Sequence, residues 1–124
     1  MIFVAFLIVS VLPESPIGRW TNSSGSVTLE IAACGGAYCG TVVAASDTAK
    51  ADAAKGGTKT LVGTQLLSDF APSSQVRWKG RLFIPDLNRH AKADISLVDE
   101  DTLKVRGCAI GRSLCRSQLW TRAD

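Results

Sequence analysis

The sequence predicts an all-β chain of about eight antiparallel strands, closed into an up-and-down barrel, with one short helix near 46–55. Three observations predict it. Apolar and polar residues alternate with period two through most of the chain after Pro16, which is the pattern of half-buried strands. The connections between those segments are mostly of hairpin length. No strand–helix–strand alternation is present, so a parallel sheet is disfavoured. Closure leaves no long strand edge exposed to pair with other chains.

The strands are expected near 17–22, 26–33, 38–44, 60–67, 75–84, 89–98, 102–108 and 114–122. "GSVTLEIAA" sets Val27, Leu29 and Ile31 against Thr28 and Glu30, and "YCGTVVAA" is β-branched and follows a Gly-Gly turn. "QVRWKGRLFI" sets Val76, Trp78, Leu82 and Ile84 against Arg77, Lys79 and Arg81. "HAKADISLV" sets Ala91, Ala93, Ile95 and Leu97 against Lys92, Asp94 and Ser96, and "TLKVRGC" sets Leu103 and Val105 against Lys104 and Arg106. "DEDT" and "IGR" read as turns. One stretch breaks the period: "SDTAKADAAKGG" offers Ser46 as an N-cap, Asp47 in the first turn, Lys55 in the last and Gly56 at the end. It has alanines but no large apolar residue, which predicts an exposed helix docked by its small face.

A barrel must bring its first strand beside its last. Trp20 is large enough to plug one end, and Arg122 or Arg116 on the last strand can lay a guanidinium over its ring, a contact contributing ~0.5–2 kcal/mol. Gly18-Arg19-Trp20 with a terminal-strand arginine resembles lipocalins and their relatives. The last strand poses a puzzle. Alternation puts Arg116, Gln118, Trp120 and Arg122 on one side, so either a bulge shifts the register or these residues line a polar barrel end.

Residues 1–15 read as a signal peptide or N-terminal apolar segment, and 16–124 as a single barrel domain. "MIFVAFLIVSVL" is apolar from Ile2 to Leu12 except for Ser10, too short for a helical bilayer span but the length of a signal-peptide core. No Lys or Arg precedes it and no small-residue cleavage motif follows; a first strand and a retained anchor are the alternatives. Four cysteines agree with export to the periplasm or beyond. Cys34, Cys39, Cys108 and Cys115 allow three pairings, and the two local pairs are favoured because each encloses a glycine-containing turn. Their spacing does not suit zinc.

The composition points away from most catalytic and nucleic-acid roles. The net charge of +3 is mild, and no basic run or aromatic-rich RNA signature is present. The single histidine, His90, reads as a surface residue. There is no nucleophile elbow, no phosphate-binding glycine loop and no cluster of metal ligands. The expectation is therefore a chain that is not an enzyme, with no catalytic residue, metal or cofactor, no nucleic-acid partner and no stable membrane span.

"GRWTNSSGSVTLEIAACGGAYCGTVV", "GGTKTLVGTQLLSDF", "RWKGRLFIPDLNR" and "DTLKVRGCAIGRSLCRSQLWTR", taken in order, resemble the bacterial domain-of-unknown-function family 2147 in its alphaproteobacterial form. The likeness runs from about Gly18 to Arg122 and includes Gly40, Gly63, Pro85 and Gly107. It implies an exported envelope protein with a lipocalin-like barrel, and implies no activity. Many members have an Asp/Asn/Pro-containing loop where this chain has its Ala/Lys helix.

Two binding readings follow. In the first, a small apolar or amphipathic ligand enters a cavity at Trp78, Gly80, Ala91 and Ala93, where small residues neighbour a large ring; the competing reading is a packed interior. In the second, Arg77, Lys79, Arg81, Lys104 and Arg106 form a basic outer face for an anionic envelope polymer or a protein partner, diluted by Asp94.

Overall fold

A computed structural model describes residues 15–109 and 114–123. The apolar segment at 2–12 and the "IGR" turn lie outside the described residues. Eight strands form one closed barrel in sequence order. They are β1 (Gly18–Asn22), β2 (Val27–Cys34), β3 (Ala37–Ala45), β4 (Gln65–Pro72), β5 (Arg77–Ile84), β6 (Arg89–Asp99), β7 (Thr102–Ala109) and β8 (Leu114–Arg122), with α1 (Asp47–Lys55) between β3 and β4. Every neighbouring pair is antiparallel.

Local chemistry sets the elements. Gly35 and Gly36 both take positive φ, at 61° and 87°, which makes the tight two-residue turn between β2 and β3. In α1 the Ser46 hydroxyl accepts the Ala49 amide at 3.1 Å, and Asp47 and Lys55 occupy the first and last turns, as the macrodipole favours. Its docking face is Ala53, fully buried in the core. Gly56 caps the helix at an ordinary right-handed φ of −81°. Its reason for being glycine is proximity: an added Cβ would collide with the Asp86 backbone in the β5–β6 turn.

The fourth strand lies further along the chain than alternation implied, at 65–72 rather than 60–67. Leu61 to Thr64 form a turn instead, with the Thr64 amide donating to Leu61 O and Gly63 at φ 94° donating to Val42 O. β4 itself carries irregular register on both sides and has Asp69 at φ 59°, so its buried positions Leu66, Leu67 and Phe70 follow no clean alternation. Val76 precedes β5 and is exposed rather than inward.

The core is one apolar cluster along the barrel axis, including Trp20, Leu29, Ile31, Phe70, Trp78, Ile95, Leu103 and Trp120. Closure rests on three residue pairs: Trp20↔Arg122, Thr21↔Thr121 and Asn22↔Trp120. Arg122, not Arg116, makes the capping contact. Its guanidinium carbon sits 4.3 Å from the centroid of the buried Trp20 ring. Nε donates to Glu100 O at 2.9 Å and Nη1 to Ile17 O at 3.2 Å. The Trp20 indole donates to Pro16 O at 2.9 Å. Gly18 is the one residue that lets this happen, since any Cβ there would meet Arg122 Nη1. Gly-x-Trp and the final arginine are thus a single device.

Arg122→Ala removes the ring contact and two charge-assisted hydrogen bonds, and is expected to destabilise the barrel by roughly 2–4 kcal/mol. Urea unfolding followed at the tryptophans measures this.

Candidate functional site

In an antiparallel ladder, residues directly opposite each other share a face. Reading the registers across β5, β6, β7 and β8 therefore gives the inner wall as rungs. One rung is Trp78–Ile95–Val105–Gln118, and the next is Gly80–Ala93–Gly107–Arg116. Below them lies Leu97–Leu103–Trp120, continuing to Asn22 of β1. The β7–β8 register runs without a shift from Thr102↔Thr121 to Ala109↔Leu114. No bulge turns the last strand over. Arg116 and Gln118 belong to the inner face, and the polar barrel end is the correct account.

The wall changes character along each rung. Trp78 is 3% exposed, Ile95 0% and Val105 6%, yet Gln118 at the end of the same rung is exposed, as is Arg116 beside it. The cause is the short closure. β1 turns away after Asn22, where the Asn22 side chain accepts the Val27 amide at 3.0 Å and donates to Ser26 Oγ at 2.9 Å. Beyond that point β8 has β7 on one side and, among the described residues, no strand on the other. The Trp78 rung is dry from β5 to β7 and open to solvent at β8.

Trp78, Gly80, Ala91 and Ala93 all lie on this inner wall, with Trp78, Ala91 and Ala93 buried. The space beside the small residues is occupied. A Cβ on Gly80 would stand 2.7 Å from the Phe70 ring and 2.6 Å from Ser68 O; one on Gly107 would stand 2.9 Å from Leu82 Cδ2. The Trp78 ring meets Tyr38 edge-on at 6.2 Å. Glycine here accommodates Phe70 and Leu82, so the space expected at Gly80 is filled.

Three donors mark the β8 side. Neither Arg116 nor Gln118 has a side-chain hydrogen bond or ion pair among the described residues. The Trp120 indole N–H is buried and has no acceptor among them, at a cost of about 1–3 kcal/mol. A separate open cleft of about 390 Å³ lies at the opposite, Arg122 end, lined by Ser15, Leu97, Glu100, Asp101 and Arg122. There the cation is already engaged, with Asp101 3.9 Å away as well as its two carbonyls.

The outer rungs of the same four strands read Arg77–Ser96–Lys104–Leu119, Lys79–Asp94–Arg106–Ser117 and Arg81–Lys92–Cys108–Cys115. The five cations read from the sequence share one face, and the register adds Lys92, directly opposite Arg81. Asp94 is the single carboxylate within these rungs, and it reaches Arg106 at 4.0 Å. The other five cations have no ion pair among the described residues. The Cys108–Cys115 disulfide spans the directly opposed pair at the top of this face, and Cys34–Cys39 crosses the β2–β3 turn. Among the described residues no group of three His, Cys, Asp or Glu is arranged to hold a metal ion, and no helix is long and apolar enough to cross a membrane.

The bacterial family described as "Uncharacterized protein conserved in bacteria (DUF2147)" matches residues 18–122. The chain belongs to this family. No curated protein matches it in sequence. Among solved structures it is similar to protein HP1028 from the human pathogen Helicobacter pylori, which belongs to the lipocalin family. The TM-score is 0.69 at 12% identity, over 89% of this chain and 84% of that one, a likeness of fold.

For this DUF2147 chain the match runs from Gly18 on β1 to Arg122 on β8, the two strands that close the barrel. The inner stripe of β8 was the feature alternation left undecided, and register resolved it. Lys92 was legible as an outward residue of its strand, but its place opposite Arg81 needed the hairpin register. Gly80→Ala tests the packed wall. It is expected to destabilise by roughly 1–3 kcal/mol through collision with Phe70 and the Ser68 carbonyl, read as a lowered thermal midpoint.

Proposed function

We propose that this protein is a noncatalytic binding protein of the bacterial envelope, taking a small amphipathic ligand at the opening beside β8. The observation that carries the reading is the rung that is dry at Trp78, Ile95 and Val105 and wet at Gln118. Gln118 and Arg116, exposed at the edge of an apolar interior, offer polar groups to the headgroup of a ligand whose oily end enters beside them. The lipocalin-like fold supports it, since barrels of eight strands either fill their interior or hold one small ligand. Two disulfides and the apolar leader support export to the periplasm or beyond. No cofactor is required by this role, and the lone His90, on the outer side against Phe83, supports no acid–base site.

Native mass spectrometry of protein purified from its own envelope is expected to find a co-purifying small molecule or, after its removal, a stoichiometric complex with medium-chain amphiphiles. Protein that is empty and binds none of them would defeat the reading.

A second reading is favoured by one specific observation, the five outer-face cations without a carboxylate partner. Like charges directly opposed, as at Arg81 and Lys92, destabilise a sheet. Their concentration on one wall supports attraction of an anionic envelope polymer or an acidic protein partner. Dextran sulfate serves as the probe. Lys79→Glu with Lys92→Glu is expected to weaken its binding, and to lower the slope of log affinity against log salt by roughly one per cation removed. An unchanged slope would dismiss this face.

A further inference from the structure

We infer that the β5–β6 turn docks the protein on an anionic lipid bilayer, seating Leu87 at the acyl boundary while Lys55, Lys59 and Arg89 meet the headgroups. This goes beyond the small-ligand and outer-wall readings and depends on neither.

The turn is Pro85-Asp86-Leu87-Asn88, between the last residue of β5 and the first of β6. Leu87 is 61% exposed, more than any other large apolar residue among those described. A lone exposed leucine is ordinary on a protein surface. Two further observations set this one apart: the turn is braced so that its tip stays out, and the brace brings cations beside it.

The bracing comes from two sides. Within the turn, the Leu87 amide donates to Ile84 O at 3.2 Å, the Asn88 amide donates to Pro85 O at 3.3 Å, and Asn88 takes a φ of 49°. From behind, the Thr58 hydroxyl donates to Pro85 O at 2.9 Å. Gly56, at the end of α1, lies so close to the Asp86 backbone that no Cβ would fit between them. Folding Leu87 back onto the barrel would break these contacts, so its exposure is built into the turn.

The same contacts gather positive charge. Lys55 precedes Gly56 and Lys59 follows Thr58, so each residue that touches the turn has an exposed lysine next to it. Arg89 follows Asn88, and Arg81 and Lys92 stand directly opposed lower on the same hairpin. None of these five has an ion pair among the described residues. The carboxylates at this end are Asp47 and Asp52 on α1 and Asp86 in the turn. The acidic run of Asp99, Glu100 and Asp101 lies at the opposite, Arg122 end. A bilayer approached turn-first meets the cations and stays far from that run.

An apolar tip with cations around it suits an interface in which the side chain enters the acyl boundary and each Lys or Arg is drawn to anionic headgroups. A soluble polyanion would engage the cations and leave Leu87 in water. A bilayer uses both features.

Sucrose-loaded vesicles of phosphatidylglycerol and phosphatidylcholine in equal parts, and of phosphatidylcholine alone, are sedimented with the full chain at low salt. Binding is expected to be about tenfold or more tighter to the anionic vesicles. Leu87→Ser is expected to weaken that binding by about tenfold while leaving binding of dextran sulfate unchanged, because only the bilayer uses the leucine. Lys59→Glu with Arg89→Glu is expected to weaken it by about tenfold or more. All three positions are exposed, so near-UV circular dichroism is expected to report an unchanged fold. Leu87→Trp gives an independent readout: relative to the unaltered protein, its added emission is expected to move to the blue with anionic vesicles and to be quenched by brominated acyl chains. Equal vesicle binding by the unaltered protein and Leu87→Ser would put the contact on the outer wall or the apolar leader and overturn the assignment. So would brominated chains that leave the added emission untouched. Failure to sediment with either vesicle would overturn the inference and leave the small-ligand and outer-wall readings standing.

Discussion

The barrel depends on a guanidinium lying on an indole. The first and last strands share three residue pairs, as few as any seam of the barrel and against eight between β7 and β8, so backbone hydrogen bonding alone gives this junction little hold. Arg122 compensates by acting on several groups together. It covers Trp20, takes the carbonyl of Ile17 before β1 and takes the carbonyl of Glu100 in the β6–β7 turn. A single side chain therefore ties the start of the barrel, its end and the hairpin between them. A cation so placed is stabilised by fixed carbonyl dipoles and a ring face rather than by an exposed ion pair, and contacts of this kind are less weakened by solvent.

The brevity of the seam creates the opening. Had β1 continued past Asn22, Gln118 and Arg116 would have been walled in, with a charged group facing an apolar interior at prohibitive cost. Because β1 turns at Asn22, those two residues reach water while Trp78, Ile95 and Val105, the rung partners of Gln118, remain dry. The closed end and the open side are consequences of one strand length, and the polar stripe on β8 is tolerated only where that strand stops. The glycines on the inner wall, by contrast, contribute to density: Phe70 and Leu82 fill the places where Cβ atoms would stand, in keeping with the close packing of protein interiors.

Much of this was legible in the sequence. Period-two alternation located β2, β5, β6 and β7, a β-branched run marked β3, the Ser46, Asp47 and Lys55 signals placed the helix, and the Gly18, Trp20 and Arg122 grouping identified the seam. The β4 position was not legible, because Asp69 and the flanking register shifts break alternation and the Leu61–Thr64 turn mimics the start of a strand. The site was half legible. Alternation put Arg116 and Gln118 with Trp120, but which face that was depended on the partner register, a property of two chains of residues rather than one. The same limit hid Lys92 from the basic face. Whether the space at Gly80 is empty or packed was not legible for a related reason: side-chain size along one strand says nothing of what the neighbouring strand, here with Phe70, projects into the gap.

The direction of the strands settles how the molecule can be held. Trp20 and Arg122 lie side by side, and Ser15 lines the cleft at that end, whereas Arg116 sits toward the other rim. The described chain thus enters and leaves the barrel at its base, away from the Arg116 rim. Ser15 and Arg122 line one cleft, so a short linker from Ala123 to Ser15 would make a circular permutant of residues 15–123 without crossing the rim.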